Sequence, residues 1–415
     1  MSSPAGALTT SGQVSLPRAS VLAQLRTTPR VFVFMGVLIG AAVSLGAKEV
    51  ARWQYLNEAF HSEWGLGIAA AITAVSVAIV SITVGRVIDR RDPRPFVVLA
   101  VLLPAVSNSM TGLVLMSGPI SPVWVAISSV ADGVIIGFAG VSLLKMQASF
   151  VRPGAEGAAE ILNILRVGIG GAIGALLAGM SPNPALTLLA STVLLLATAV
   201  GTWWVMRPVA PRPPSRTRTG LLAVLSYLRQ TGSLRRLIIV DLTLALVIPT
   251  QVINLALVGM DASELAGLSI ASGMVGVLLG RLILTVIGFR GNPRRLLTLV
   301  VGGLCVAQFI GAVMLTDGWL VRQLLALPAI IIVGSVCSTY AQGVTAAIIQ
   351  QGVLEQHRGG LASLLVTGRN ALISTGALGG AALAVAWGPQ AFLVVLALGL
   401  LVVLVGSRGF ASVPS

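Results

Sequence analysis

Twelve apolar runs follow one another along this chain, each at least as long as the roughly 20 residues a helix needs to cross a bilayer. They fall at 31–54, 65–88, 95–116, 121–146, 157–179 and 183–206, then at 236–258, 264–288, 295–316, 319–347, 360–385 and 388–407. Hydrocarbon offers no partner to a backbone amide or carbonyl, so runs of this kind span as helices. Composition removes the soluble alternative: 56% of residues are hydrophobic and only 10% are charged, where a water-facing surface carries roughly a quarter. The expected fold is an all-α polytopic membrane protein of twelve transmembrane helices in two six-helix halves.

A net charge of +14 in a soluble protein would point to nucleic acid. Here the arginines sit in short loops, where they set topology. One set of alternate loops holds Arg86, Arg90, Arg91, Arg94, Lys145, Arg152, the stretch Arg207 to Arg236, Arg290, Arg294, Arg295, Arg358 and Arg408. The other set carries Glu58, Glu63, Asp261, Glu264 and Asp317. Both termini are therefore expected in the cytoplasm and the chain in the inner (plasma) membrane, with lipid and no nucleic acid as its surroundings. The first thirty residues lack a cleavable-signal pattern and read as a cytoplasmic tail. The expected organisation is a tail over 1–30, a first half over 31–206, a basic linker over 207–235, a second half over 236–407 and a tail over 408–415. The linker, Arg207-Pro208 to Arg218, is too rich in proline and arginine to pack. Leu221 to Arg229 after it has the pattern of a short amphipathic helix.

The halves repeat one another. At an offset of 200, Gly67 matches Gly267, Pro93 matches Pro293, Arg94 matches Arg294 and Leu99 matches Leu299. At 203, Gly140-Val141-Ser142 pairs with Gly343-Val344-Thr345, Gln147 with Gln350, Gly157 with Gly360 and Arg166 with Arg369. Two strings in register imply duplication.

The loop between the second and third spans has Gly85, Asp89, Arg90 and Arg94 in the order Gly85-x-x-x-Asp89-Arg90. With twelve spans and a basic central loop, this resembles the major facilitator superfamily. Asp92 and Pro93 stand where the motif has its second glycine and next basic residue. Gly220 to Asp241, with Tyr227-Leu228-Arg229 and Leu234-Arg235-Arg236, is similar to the branch of siderophore exporters of the enterobactin type and of macrolide or multidrug efflux proteins. The resemblance implies that Asp89 faces the start of the eleventh span near Gly359 and Gly360 and latches the cytoplasmic gate; a solvated topogenic loop is the alternative. Phe289 holds the aligned place in the second half, so one latch of this kind is expected.

Charges inside spans cost about 2.5–3.5 kcal/mol each on insertion scales and so face a cavity or one another. Lys48, Glu49 and Arg52 lie in the outer third of the first span, with Lys48 and Arg52 one turn apart and Glu49 three residues before Arg52. They are an outer gate, or snorkel to the interface as a local ion pair. Asp132 lies about ten residues into the fourth span, which the resemblance places at the central cavity with the first, seventh and tenth. It is the leading candidate for a proton or cation site, with a permanently paired structural aspartate as the alternative. Asp241 is the second candidate, or a partner for Arg235 and Arg236. Arg166 and Arg369, at aligned places in the fifth and eleventh spans, either grip an anionic group together or bind helix carbonyls. Gln251, Asn254 and Tyr340, with Pro249 and Gln342, would add polar groups and a kink to the cavity.

No catalytic cluster is present. His61 and His357 fall in loops on opposite sides, there is no P-loop, and Cys305 and Cys337 have no metal-ligand spacing. No enzyme activity, cofactor or metal is expected. The function expected is secondary transport by alternating access, exporting a small amphipathic compound (a drug, siderophore or other natural product) against protons, as a monomer. Ala172 replaces the proline of the superfamily's antiporter motif in the fifth span, and the fourth span has no arginine. The alternatives are a gradient-driven carrier for an anionic metabolite held by Arg166 and Arg369, and a non-transporting sensor or scaffold. The preference for arginine over lysine, with abundant alanine and glycine, suggests a GC-rich bacterial genome.

Overall fold

The structure is a computed structural model that describes residues 29–60, 63–88, 93–150, 156–181, 183–205, 221–230, 235, 238–239, 241–243, 263–287, 293–314, 328–340, 342–343, 355–387, 394–395 and 397–402. Every ordered element among these residues is helical, and each of the twelve expected spans contains helix. The first half comprises α1 (Pro29–Phe60), α2 (Glu63–Ile88), α3 (Pro93–Ser117), α4 (Pro122–Phe150), α5 (Glu156–Gly179) and α6 (Pro184–Val205). Next come α7 (Leu221–Gln230) in the linker, α8 (Ser263–Ile287), α9 (Pro293–Met314), α10 (Pro328–Tyr340) and α11 (Glu355–Trp387).

Local chemistry starts these helices. Asn183 caps α6, its Oδ1 accepting from the amides of Ala185 at 3.0 Å and Leu186 at 3.2 Å, and Pro184 follows at the first helical position. Ser121 and Pro122 open α4 in the same way, with Ser121 Oγ accepting from the Trp124 amide at 3.2 Å. Gly118 supplies a φ of 146° in the turn between α3 and α4, which a side chain would resist. Large apolar side chains, among them Met180, Val200, Trp204 and Leu299, point outward. Such an exposed belt suits lipid.

The interior is filled by small residues. In the first half, α1 packs against α5 and α6, α2 against α4, and α3 against α4 and α6. Gly133 and Gly137 bring α4 onto the carbonyls of Thr73 and Val77 in α2. Gly276 and Gly280 do the same for α8 against Ile332 and Val336 in α10, the equivalent pair of the second half. Both crossings use glycines four apart, supplied by opposite partners of the pair.

The halves meet through α2 with α11 and α5 with α8. Ser374 Oγ of α11 donates to the Ala71 carbonyl of α2 at 3.3 Å. A Cβ on Gly267 would stand 2.7 Å from Gly179 Cα and 2.8 Å from the Ala175 carbonyl. These contacts lie toward the face where α1 ends and α2 begins, hereafter the Phe60 face; the opposite one, where α2 ends and α3 begins, is the Pro93 face. Gly267→Leu should pry the Phe60 face apart and raise maleimide labelling of an Ala178→Cys reporter severalfold in vesicles. An unchanged labelling rate would show that this contact does not close the face.

Candidate functional site

Among the described residues, two buried charge clusters lie within the bundle. In the first, Asp132 of α4 is 3% exposed. Lys48 Nζ donates to its Oδ1, Ser107 Oγ of α3 donates to the same oxygen at 3.4 Å, and Arg52 Nη1 stands 3.9 Å from Oδ2. Arg52 is fixed independently. Its Nη2 is shared among Thr73 Oγ1 at 2.7 Å, the Ala69 carbonyl at 3.3 Å and Ser129 Oγ at 3.4 Å. Thr73 Oγ1 is itself placed against the carbonyls of Ala69 at 2.8 Å and Ser129 at 3.2 Å. One carboxylate thus serves two cations, one tied to α2 and α4 and the other held by Asp132.

The one-turn spacing of Lys48 and Arg52 puts both on the α1 face toward α4. Neither snorkels: both side chains are largely buried. Glu49, half-buried beside them, does not pair with Arg52 as its spacing suggested. Asp132 meets α1 through Lys48 and α3 through Ser107, both at Oδ1.

The second cluster joins the fifth and first helices of the second half. Arg369 of α11 donates Nε to Asp241 Oδ2 at 2.7 Å and Nη2 to Oδ1 at 2.5 Å, a two-pronged pair. Asp241 is 0% exposed. The sequence offered Arg235 and Arg236 as partners; Arg235 is exposed and Arg236 lies outside the described residues, and the aspartate is bound by an arginine 128 residues away. Arg166 of α5 donates Nη1 to the Leu38 carbonyl of α1 at 3.3 Å, also across 128 residues. Leu38 and Asp241 stand at the same offset of 203 that relates the two arginines. The duplication therefore preserved a contact from fifth helix to first helix in each half, and only the second half put a carboxylate there. With its fork engaged, Arg369 is not poised beside Arg166 to grip a shared anion.

Tyr340 is buried in α10, and Gln342 Nε2 donates to Ser338 Oγ at 3.4 Å. Gly85 and Arg94 belong to α2 and α3 by their backbone. Asp89, Arg90, Gln251, Asn254 and Pro249 lie outside the described residues. Sequence reasoning missed Ser107, Thr73 and Ser129, which complete the Asp132 cluster. Their only signal was the recurrence of hydroxyl residues on spans that also carry charge.

The sequence profile of the Major Facilitator Superfamily matches residues 33–377. No curated protein matches the chain in sequence. Among solved structures, a bacterial homolog of the human lysosomal transporter Spinster, in an inward-facing and unoccupied conformation, superposes with a TM-score of 0.71 at 13% identity, covering 93% of this chain and 98% of its own. The nucleoside transporter NupG gives 0.72 at 11% identity, over 92% and 99%. The E. coli fucose:proton symporter FucP gives 0.60 at 14% identity, over 93% and 99%.

Proposed function

This chain belongs to the Major Facilitator Superfamily, a family of non-enzymatic membrane transporters, and on that premise we propose that it exports a small amphipathic compound by alternating access, driven by protons. The compound is a drug, a siderophore or another natural product. The Pro93 face is the cytoplasmic one, which the basic loops at that face support.

The observation that carries the coupling is the single buried carboxylate shared by Lys48 and Arg52. A proton taken up at Asp132 Oδ1 neutralises the oxygen that holds Lys48. The ammonium is then released, because a neutral acid no longer attracts it, and the ionic tie between α1 and α4 opens. Arg52 stays in place through Thr73 and the Ala69 carbonyl. Protonation leaves Lys48 and Arg52 without the carboxylate that offset their buried charge, which is unfavourable. Uptake is therefore coupled to a state in which Lys48 reaches water or a polar group of the substrate. The gate at the Pro93 face is assigned to Asp89, with Gly85, Arg90 and Arg94 shaping its loop. The antiparallel packing of α2 against α11, with Ala71 opposite Ser374, is the arrangement on which a latch from Asp89 to the start of α11 is proposed.

The test uses everted membrane vesicles and a panel of fluorescent amphipathic dyes. Asp132→Asn is expected to lower proton-driven dye flux at least about tenfold while dye exchange without a proton gradient persists. Undiminished gradient-driven flux in Asp132→Asn would remove the coupling assignment. The anion-carrier alternative loses support from the engagement of Arg369 with Asp241.

A further inference from the structure

We propose that the interior of the first six-helix half is a hydrated chamber through which protons reach Asp132. The proposal builds on Asp132 as the proton-exchanging group and adds its route.

Asn108 carries the inference. It lies within α3 at 1% exposure, and neither its amide oxygen nor its amide nitrogen meets a protein partner. A buried amide in that condition is costly, and folded proteins satisfy nearly all such groups, with ordered water where side chains and backbone do not. Its neighbours fix the direction it takes. Ser107 reaches Asp132 of α4, and Ser109 reaches Thr192 of α6 at 3.3 Å. Successive residues of a helix are turned by about 100°, so a buried side chain between those two points between α4 and α6, across the bundle toward α1.

On α1, Ser44 donates to the Ser191 carbonyl of α6 at 3.2 Å, and one turn further Lys48 meets Asp132. The helices packed against α3 thus carry polar groups of their own: Ser44 and Lys48 on α1, Asp132 on α4 and the Ser191 carbonyl on α6. Water is the small molecule that both donates and accepts toward such a mixed set. A bare metal cation is opposed by the charges of Lys48 and Arg52. Among the described residues, the charged and titratable groups facing Asp132 are Lys48 and Arg52, with Glu49 and Tyr55 beside them on α1. Toward it α3 turns the Ser107 hydroxyl, and the Thr73 hydroxyl of α2 holds Arg52 beside it.

The second half offers an internal comparison. Gln308 of α9 stands 200 residues after Asn108, is 3% exposed, and its Oε1 also lacks a protein partner. No carboxylate lies within hydrogen-bonding reach of it among the described residues. The two amides are equivalent in position, and Asn108 follows directly on Ser107, which binds the Asp132 carboxylate.

The test is infrared difference spectroscopy on the full chain in lipid films, with D2O as the probe. A carboxylic acid band that rises on acidification and is missing in Asp132→Asn reports the protonated aspartate, and its shift in D2O reports how fast water reaches it. Asn108→Leu is expected to keep the band and slow its deuteration at least tenfold. Asn108→Ser, smaller and still polar, should exchange like the wild type, and so should Gln308→Leu. Where Asn108→Leu does not fold, Asn108→Val takes its place. Deuteration at the wild-type rate in the apolar variant overturns the route while leaving Asp132 as the proton site. If Asp132→Asn removes no band, the assignment of Asp132 fails, and the route with it.

Discussion

Arg369→Ala should destabilise the folded protein by about 3–5 kcal/mol, the range expected when a buried ion pair loses one partner. The loss falls on Asp241. With its arginine gone, a carboxylate at 0% exposure loses the partner that offset its removal from water. The reverse change is milder, because the Arg369 side chain is 25% exposed and its long stem lets the guanidinium turn toward water or a carbonyl. Asp241→Asn should therefore cost clearly less than Arg369→Ala, and the double variant should recover most of the loss. Arg369→Lys should fall between, since an ammonium supplies charge without the two-pronged fit. Thermal unfolding of the purified protein in detergent, read as a double-mutant cycle, measures all four. Equal losses from the two single changes, adding without recovery, would mean that the pair is not a coupled unit.

The spans were legible because lipid imposes a length, and length survives in sequence without knowledge of which helix neighbours which. The partners of the charges were not, because hydropathy says nothing about lateral order. Asp241 shows the difference. Its nearest cations along the chain, Arg235 and Arg236, were the natural expectation, and the arginine that binds it comes from α11. The offset of 203 that matched Arg166 with Arg369 held the missing information, since it also places Asp241 on Leu38, which Arg166 touches. Lys48 and Arg52 were legible as one face of α1. Their attachment to Asp132 was not, because it depends on how α1 and α4 are turned toward each other. Asn108 was invisible for another reason. In Ser107-Asn108-Ser109 an amide between two hydroxyls reads as ordinary polar packing, and only its burial without a partner distinguishes it.

Helix α5 carries two glycine faces, and substitutions on them should have opposite consequences. Gly170 and Gly174, one turn apart, face α1, where a Cβ on Gly174 would fall onto the Val43 carbonyl and one on Gly170 would lie 2.9 Å from Ala42 Cβ. Gly46 returns the contact, its own Cβ position overlapping the Gly171 carbonyl. Backbone cannot step aside as a side chain can, so Gly174→Ala or Gly46→Ala must push the helices apart along their crossing. The expected cost is about 3 kcal/mol, the upper end for overpacking, visible as a lower unfolding temperature and a poorer yield of monodisperse protein. Gly171 faces α8 across the boundary between the halves. A Cβ there meets the far end of Met274, with Sδ at 3.2 Å and Cε at 3.6 Å, and that chain is flexible enough to yield. Gly171→Ala should therefore fold normally. Under the proposed alternating access α5 and α8 would move against each other as the halves rock, so its effect should appear in the turnover of dye transport. A stability loss in Gly171→Ala matching that of Gly174→Ala would mean that both faces of α5 are packed as static core, and the contact between α5 and α8 would no longer qualify as a moving surface.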